Sequence, residues 1–155
     1  KNIAMMGALL SRTVVTPAYA QYLSPPGTSF SATGTVEFTK ASPPISVVCT
    51  LTLTGSTDAA VDSPPTKTAT ATITGGTNTG TGCTALTVDG GTASYDSGTG
   101  DWVFSTVVRS SGTPICGGPV HFEVDSGDII FDSDIAPDCH ALGILTSSPT
   151  INDVP

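Results

Sequence analysis

Thr28-Ser-Phe-Ser-Ala-Thr-Gly-Thr-Val-Glu-Phe-Thr39, followed after a Pro-Pro break by Ile45-Ser-Val-Val-Cys-Thr-Leu-Thr-Leu-Thr54, alternates apolar with hydroxyl-bearing residues almost without interruption. Phe30, Ala32, Gly34, Val36 and Phe38 share one face, and Ser29, Ser31, Thr33, Thr35 and Thr39 the other, with Glu37 the lone charge. In the second run Ile45, Val47, Cys49, Leu51 and Leu53 oppose Ser46, Val48, Thr50, Thr52 and Thr54. A period of two means strand, because successive side chains leave a pleated backbone on opposite sides. The strands carry few of the edge lysines, inward charges and prolines that usually block edge-to-edge pairing. Self-association is therefore the first functional expectation.

The pattern continues along the chain. Gln21–Gly27 reads as an extended lead-in, since tandem prolines forbid helix. Further strands are expected at Lys67–Thr74, Cys83–Val88, Thr92–Tyr95, Asp101–Val108, Val120–Val124, Asp128–Phe131 and Leu142–Thr146. Gly75–Gly82 reads as a turn and Asp89-Gly90-Gly91 as a hairpin, because such residues tolerate positive φ. No sustained helical period appears beyond the first twenty residues. The fold class is all-β: one antiparallel sandwich or barrel of about eight to ten strands. Phe30, Phe38, Phe104, Phe122 and Phe131 fall within strand patterns and belong to the core. Trp102, the single tryptophan, joins them with its indole N–H satisfied at the edge. The 26 threonines reflect either β propensity alone or a hydroxyl surface with a role.

Residues 1–20 resemble a secretory signal: Lys1, an apolar run from Ile3 to Leu10, and Ala18-Tyr-Ala20 as a cleavage pattern. The run is too short to span a bilayer. Residues 21–155 then form a single domain carrying thirteen carboxylates against Lys40, Lys67 and Arg109, a formal charge of −10. Three scattered cations make no basic patch, which excludes nucleic-acid binding through phosphates and disfavours anionic membranes. Cys49, Cys83, Cys116 and Cys139 are even in number and lack zinc spacing, so two disulfides are expected. Three pairings are open; Cys49–Cys83 with Cys116–Cys139 is favoured because each bridge would staple neighbouring strands.

Candidate chemistry is thin. His121 is expected to point outward from a strand and His140 to lie in a loop beside Cys139. No nucleophile elbow orders serine, histidine and aspartate into a triad. The chain reads as a non-enzyme without a cofactor. Asp125, Asp128, Asp132 and Asp134, with Asp138 beyond them, offer oxygen ligands for calcium, but an EF-hand loop's glycine and closing glutamate are missing. Solvated turns bracketing a buried strand are the favoured account. Inward positions such as Ala32, Gly34, Ala69 and Ala71 are small, which suits tight sheet packing better than a ligand cavity.

The block Leu23-Ser-Pro-Pro-Gly-Thr-Ser-Phe-Ser-Ala-Thr-Gly-Thr-Val-Glu-Phe-Thr-Lys40, then Ile45-Ser-Val-Val-Cys-Thr-Leu-Thr-Leu-Thr-Gly55, resembles the alkane-oxidation protein activator (PraB-like) family of small secreted bacterial proteins. Ala69–Gly75 and Cys83 also sit where that pattern expects a small-residue strand and a second cysteine. The resemblance covers residues 23–88. It implies an exported β protein at the bacterial surface, linked to growth on hydrocarbons, biofilm or extracellular fibres, and it implies no enzyme. Three functions follow as expectations. The first is a subunit of extracellular fibres or biofilm matrix, joined to its own copies by strand addition, with Gln21, Tyr22 and Leu23 as contact candidates. The second is a binding module for hydrocarbons or other apolar small molecules. The third is a surface adhesin.

Overall fold

The computed structural model describes residues 22–58 and 70–154. Ten strands cover them: β1 (Tyr22–Ser24), β2 (Ser29–Lys40), β3 (Ile45–Thr57), β4 (Thr70–Thr79), β5 (Leu86–Asp96), β6 (Asp101–Ser110), β7 (Thr113–Asp125), β8 (Asp128–Ile135), β9 (Cys139–Ser148) and β10 (Asn152–Val154). β2 to β9 run up and down, each antiparallel to the next, and β9 pairs back onto β2 to close an eight-stranded barrel. The closing register sets Thr35 opposite Ile144 and Lys40 opposite Cys139. β1 and β10 pair only with each other, Leu23 opposite Asp153. The expected leader, residues 1–20, lies outside the described residues, as do Gln21, Lys67 and Ala69.

Closure accounts for the scarcity of edge guards, because a barrel leaves its strands no free margin to protect. Alternation then divides the side chains into lumen and solvent. Phe30, Phe38, Cys49, Leu51, Leu53, Phe104, Phe122, Phe131 and Leu145 are buried inside. The outward threonines pair across strands, Thr33 with Thr52 at 3.0 Å and Thr54 with Thr74 at 2.5 Å. Such surface pairs contribute only a few tenths of a kcal/mol each. Burial of the inner face supplies most of the stability.

The two barrel ends differ in construction. At one end Cys49–Cys83 and Cys116–Cys139 are bonded, the favoured pairing. Their separations of 34 and 23 residues correspond to roughly 3–4 kcal/mol each in the chain-entropy account. At the other end the β1–β10 ribbon sets Leu23, 4% exposed, and Ile151, fully buried, over the opening. Beneath it Trp102 meets Tyr95 edge-on at 5.8 Å between centroids and stacks with Phe122 at 6.4 Å. Ser147 ties the ribbon down: its O–H donates to Gly127 O at 2.9 Å while its Oγ accepts from Ile151 N–H at 3.0 Å.

Several local expectations are revised. Gly75–Thr79 continues β4, and the turn follows at 80–85. Asp89-Gly90-Gly91 is no hairpin but a bulge inside β5, where the register with β6 slips between Val88 and Ala93. The backbones come so close there that a Cβ on Gly90 would lie 2.6 Å from Thr74 O and 2.7 Å from Ile73 O. A glycine inside a strand marks close approach as readily as a turn. Asp89 holds the bulge from outside, both carboxylate oxygens accepting from Arg109 Nε–H at 3.0 Å. His140 belongs to strand β9 and not to a loop.

Candidate functional site

The barrel's inward side chains leave space between them. A cavity of about 90 Å3 runs through the lumen, bounded by Leu23, Phe30 and Ala71 at the ribbon end and by Asn78, Leu86 and Ile135 at the disulfide end. Eight strands make a barrel whose interior is either just filled by side chains or holds one small ligand. The expectation of tight packing without a cavity is therefore corrected. Ala32 and Ala71 do point inward and are buried, but in a closed barrel no opposing sheet can move in to fill what small residues leave.

Length and volume together define the shape. The lining runs along β4 from Ala71 to Asn78, seven residues and so about 23 Å of strand. Yet the enclosed volume is less than the ~150 Å3 of an engineered cavity that admits benzene. The space is narrow, sized for a single chain rather than a ring. Its wall is apolar throughout except for Asn78 and Thr106. Thr106 is occupied structurally, its O–H donating to Asp89 O at 2.8 Å in the bulge. Asn78 donates through Nδ2 to Leu86 O at 3.0 Å. It was missed from the sequence because Gly75-Gly76 looked like a turn; the glycine pair instead shifts the alternation, and Asn78 resumes the inward face after Ala71 and Ile73.

At the disulfide end Ile45, Val47 and Ile115 are only partly buried, an apolar rim on that end of the barrel. The wall also loosens on that side. β7 and β8 are in register only from Phe122↔Phe131 to Asp125↔Asp128. Beyond that, Gly117 N–H reaches Ala136 O at 2.8 Å, His121 N–H reaches Ser133 Oγ at 3.3 Å, and the Cys116–Cys139 bridge closes the seam. Pro119 lies midway between Gly117 and His121 in the strand's period of two, and lacking an N–H it leaves no donor unmet.

The remaining candidates are dispersed. His121 faces outward with Nδ1 3.0 Å from Asp101 Oδ2. His140 sits between two carboxylates, Nδ1 2.7 Å from Asp134 and Nε2 2.9 Å from Asp132. The hydrogen bond to Asp134, with the charge of both aspartates, raises its pKa. Asp128 instead accepts from Thr146 at 2.9 Å and Asp125 from Ser126 at 3.0 Å. The four aspartates weighed for calcium are thus spread along the outer wall, Asp125 and Asp128 each engaged by a hydroxyl and Asp132 and Asp134 sharing His140. Among the described residues one trio of ligand-type side chains converges, Cys116, Asp138 and Cys139, and both sulfurs are spent in the disulfide. Lys40, 9% exposed, donates to Asp138, whose pKa is lowered chiefly by that bond.

Of the proposed subunit contacts, Tyr22 pairs with Val154 and Leu23 is buried under the ribbon. Trp102 is fully buried, as expected, but its indole N–H finds no acceptor among the described residues. Asp153 of β10 approaches it outside hydrogen-bond geometry, and Oδ1 of that carboxylate is likewise unpartnered. Burial raises the Asp153 pKa, and the nearby indole offsets this in part.

The family model described as alkane oxidation protein activator PraA/PraB-like matches residues 1–154. No curated protein and no solved structure matches the chain.

Proposed function

We propose that this chain, which belongs to the alkane oxidation protein activator PraA/PraB-like family, is a non-enzymatic carrier that takes an unbranched apolar chain into its barrel. The single observation behind this reading is the long, narrow, apolar lumen of about 90 Å3. Each methylene moved from water into such a wall gains about 0.8 kcal/mol. A chain that outgrows this space must spread the lining or extend past the rim of Ile45, Val47 and Ile115. Two disulfides fit an oxidising compartment, consistent with an exported protein acting outside the cytoplasm. A soluble carrier aids alkane use by raising the amount of hydrocarbon dispersed in water, which needs no catalytic group.

Calorimetric titration with n-pentane tests this. Saturable one-to-one binding is expected, abolished by Ala93→Phe, which fills the lumen. A folded wild-type protein that takes up no pentane would remove the reading.

A second reading, self-assembly into extracellular fibres, has one observation in its favour. β1 and β10 have a single neighbour each, so each offers an open edge to a strand from another copy. Electron microscopy of concentrated protein tests it: ordered fibres are expected, and a monodisperse monomer at millimolar concentration counts against it.

A further inference from the structure

An inward asparagine in an otherwise apolar tube requires explanation. Its Nδ2 bond to Leu86 O at 3.0 Å steadies the turn at 80–85, and that role engages one N–H of the amide. The second N–H and the carbonyl Oδ1 have no partner among the described residues, and neither is sealed away as an orphaned buried atom. Asn78 borders the cavity toward the disulfide end, while the ribbon end is lined by apolar side chains, Leu23, Phe30, Ala71 and Ile151 among them. The wall thus has two polar residues, Asn78 toward one end and Thr106 between the ends, and is otherwise apolar. Thr106 has its proton committed to Asp89 O, so it can only accept and cannot complement both halves of a hydroxyl.

From this geometry we infer that the preferred ligand is an unbranched chain bearing one terminal hydroxyl, a primary alcohol, with its oxygen held by Asn78 and its alkyl tail directed toward Trp102. The inference rests on the carrier reading above and narrows its ligand. A hydroxyl is both donor and acceptor, and a primary amide left with one N–H and one C=O supplies the complement of each. A bare alkane entering the same tube strips water from Asn78 and returns nothing to it. An unmet buried polar group costs about 1–3 kcal/mol, so discrimination of roughly five- to 150-fold is available from this one side chain. A carboxylate end fits poorly. The amide would have to turn its carbonyl away, and the cations described at this end are already engaged, Lys40 with Asp138 and Arg109 with Asp89.

The test compares 1-pentanol with n-pentane by calorimetry. Without a polar contact the alkane must win, because burying a lone hydroxyl in an apolar wall is unfavourable. Wild-type protein is expected to bind the alcohol at least as tightly as the alkane, and Asn78→Leu to shift the ratio tenfold or more toward the alkane. A second measurement needs no variant: the Asn78 side-chain amide resonances should move on adding 1-pentanol and stay in place on adding pentane. Preference for pentane together with an unmoved amide would overturn the inference while leaving an apolar carrier standing. Failure of both ligands to bind would overturn both.

Discussion

At the disulfide end of the barrel, Cys49–Cys83 and Cys116–Cys139 join the wall covalently and the Lys40–Asp138 pair adds a charged clasp. At the other end three residues of β1 and three of β10 hold Leu23 and Ile151 over an aromatic cluster, with two polar atoms left unpartnered. The first end has covalent bonds yet leaves Ile45, Val47 and Ile115 only partly buried and sets Asn78 in the lining. The second has none and is sealed. A barrel that admits a ligand must relax the backbone pairing somewhere, and bridges placed at that point keep the strands together while it does. The Cys116–Cys139 bond crosses the same seam where β7 and β8 fall out of register. The ribbon end needs no such insurance, because its closure is hydrophobic and the strands beneath it are fully paired.

This contrast breaks most clearly under reduction. Replacing Cys116 and Cys139 together by alanine should lower unfolding free energy by roughly 3–4 kcal/mol. Hydrogen exchange should accelerate first at Gly117–His121 and Ser133–Ala136. Uniform acceleration around the barrel would mean the seam is not the weak line. At the ribbon end, Leu23→Ala should cost about 2–3 kcal/mol, toward the lower part of the range for large-to-small core changes because a short ribbon can settle into the gap. Its exchange signature should be confined to residues 22–24 and 151–154, with the disulfide end unaffected.

Gly90→Ala probes the wall midway between the ends. The added methyl would lie within 2.7 Å of two carbonyl oxygens of β4, and overpacking of this kind costs about 1–3 kcal/mol. Urea denaturation measures it. A neutral result would mean that β4 and β5 separate freely at the bulge.

How much of this was legible beforehand follows from the range of each interaction. The strands, the inward phenylalanines and the disulfide pairing are written in near-neighbour patterns. Phe30, Val36 and Phe38 declare their face within ten residues, and Cys49 and Cys116 each pair with the next cysteine along the chain. Closure of the barrel depends on β2 meeting β9, Thr35 against Ile144, and no local signal encodes a contact over a hundred residues. The cavity was hidden for a related reason: it is a volume left over after closure. Asn78 and the Asp89-Gly90-Gly91 bulge were misread because glycine permits a turn and a close strand approach alike. The clamp on His140 was within reach of sequence reasoning, since Asp132 and Asp134 share a strand face and the turn before Cys139 brings His140 beside them.

Asp153 sharpens the comparison through pH. Its pKa is raised by burial, so the folded protein binds its proton more tightly than the unfolded chain does. The sign follows: this group favours folding at low pH, and that contribution is lost as pH rises from the ordinary carboxylate value through the raised one. Asp153→Asn should therefore stabilise the protein at pH 7, by under about 1 kcal/mol given the solvent screening of a partly exposed carboxylate, and make no difference near pH 3. Melting curves at the two pH values decide it. Equal gains at both would assign the effect to packing and not to charge.

The smallest effect is expected on the solvent-facing side of the wall, next to Cys139. His140 is held between Asp134 and Asp132, and its pKa is raised. Stability from the imidazolium is fully present below the ordinary histidine value and fades as pH climbs through the raised one, the opposite limb from acid loss of a carboxylate pair. The side chain is 40% exposed, so solvent screens the interaction and the loss in His140→Ala should be only a few tenths of a kcal/mol. The variant should melt slightly below wild type at pH 5 and together with it at pH 9. A deficit that persists at pH 9 would make His140 a packing residue of β9 and leave the charge of Asp132 and Asp134 without a role in holding β8 to its neighbour.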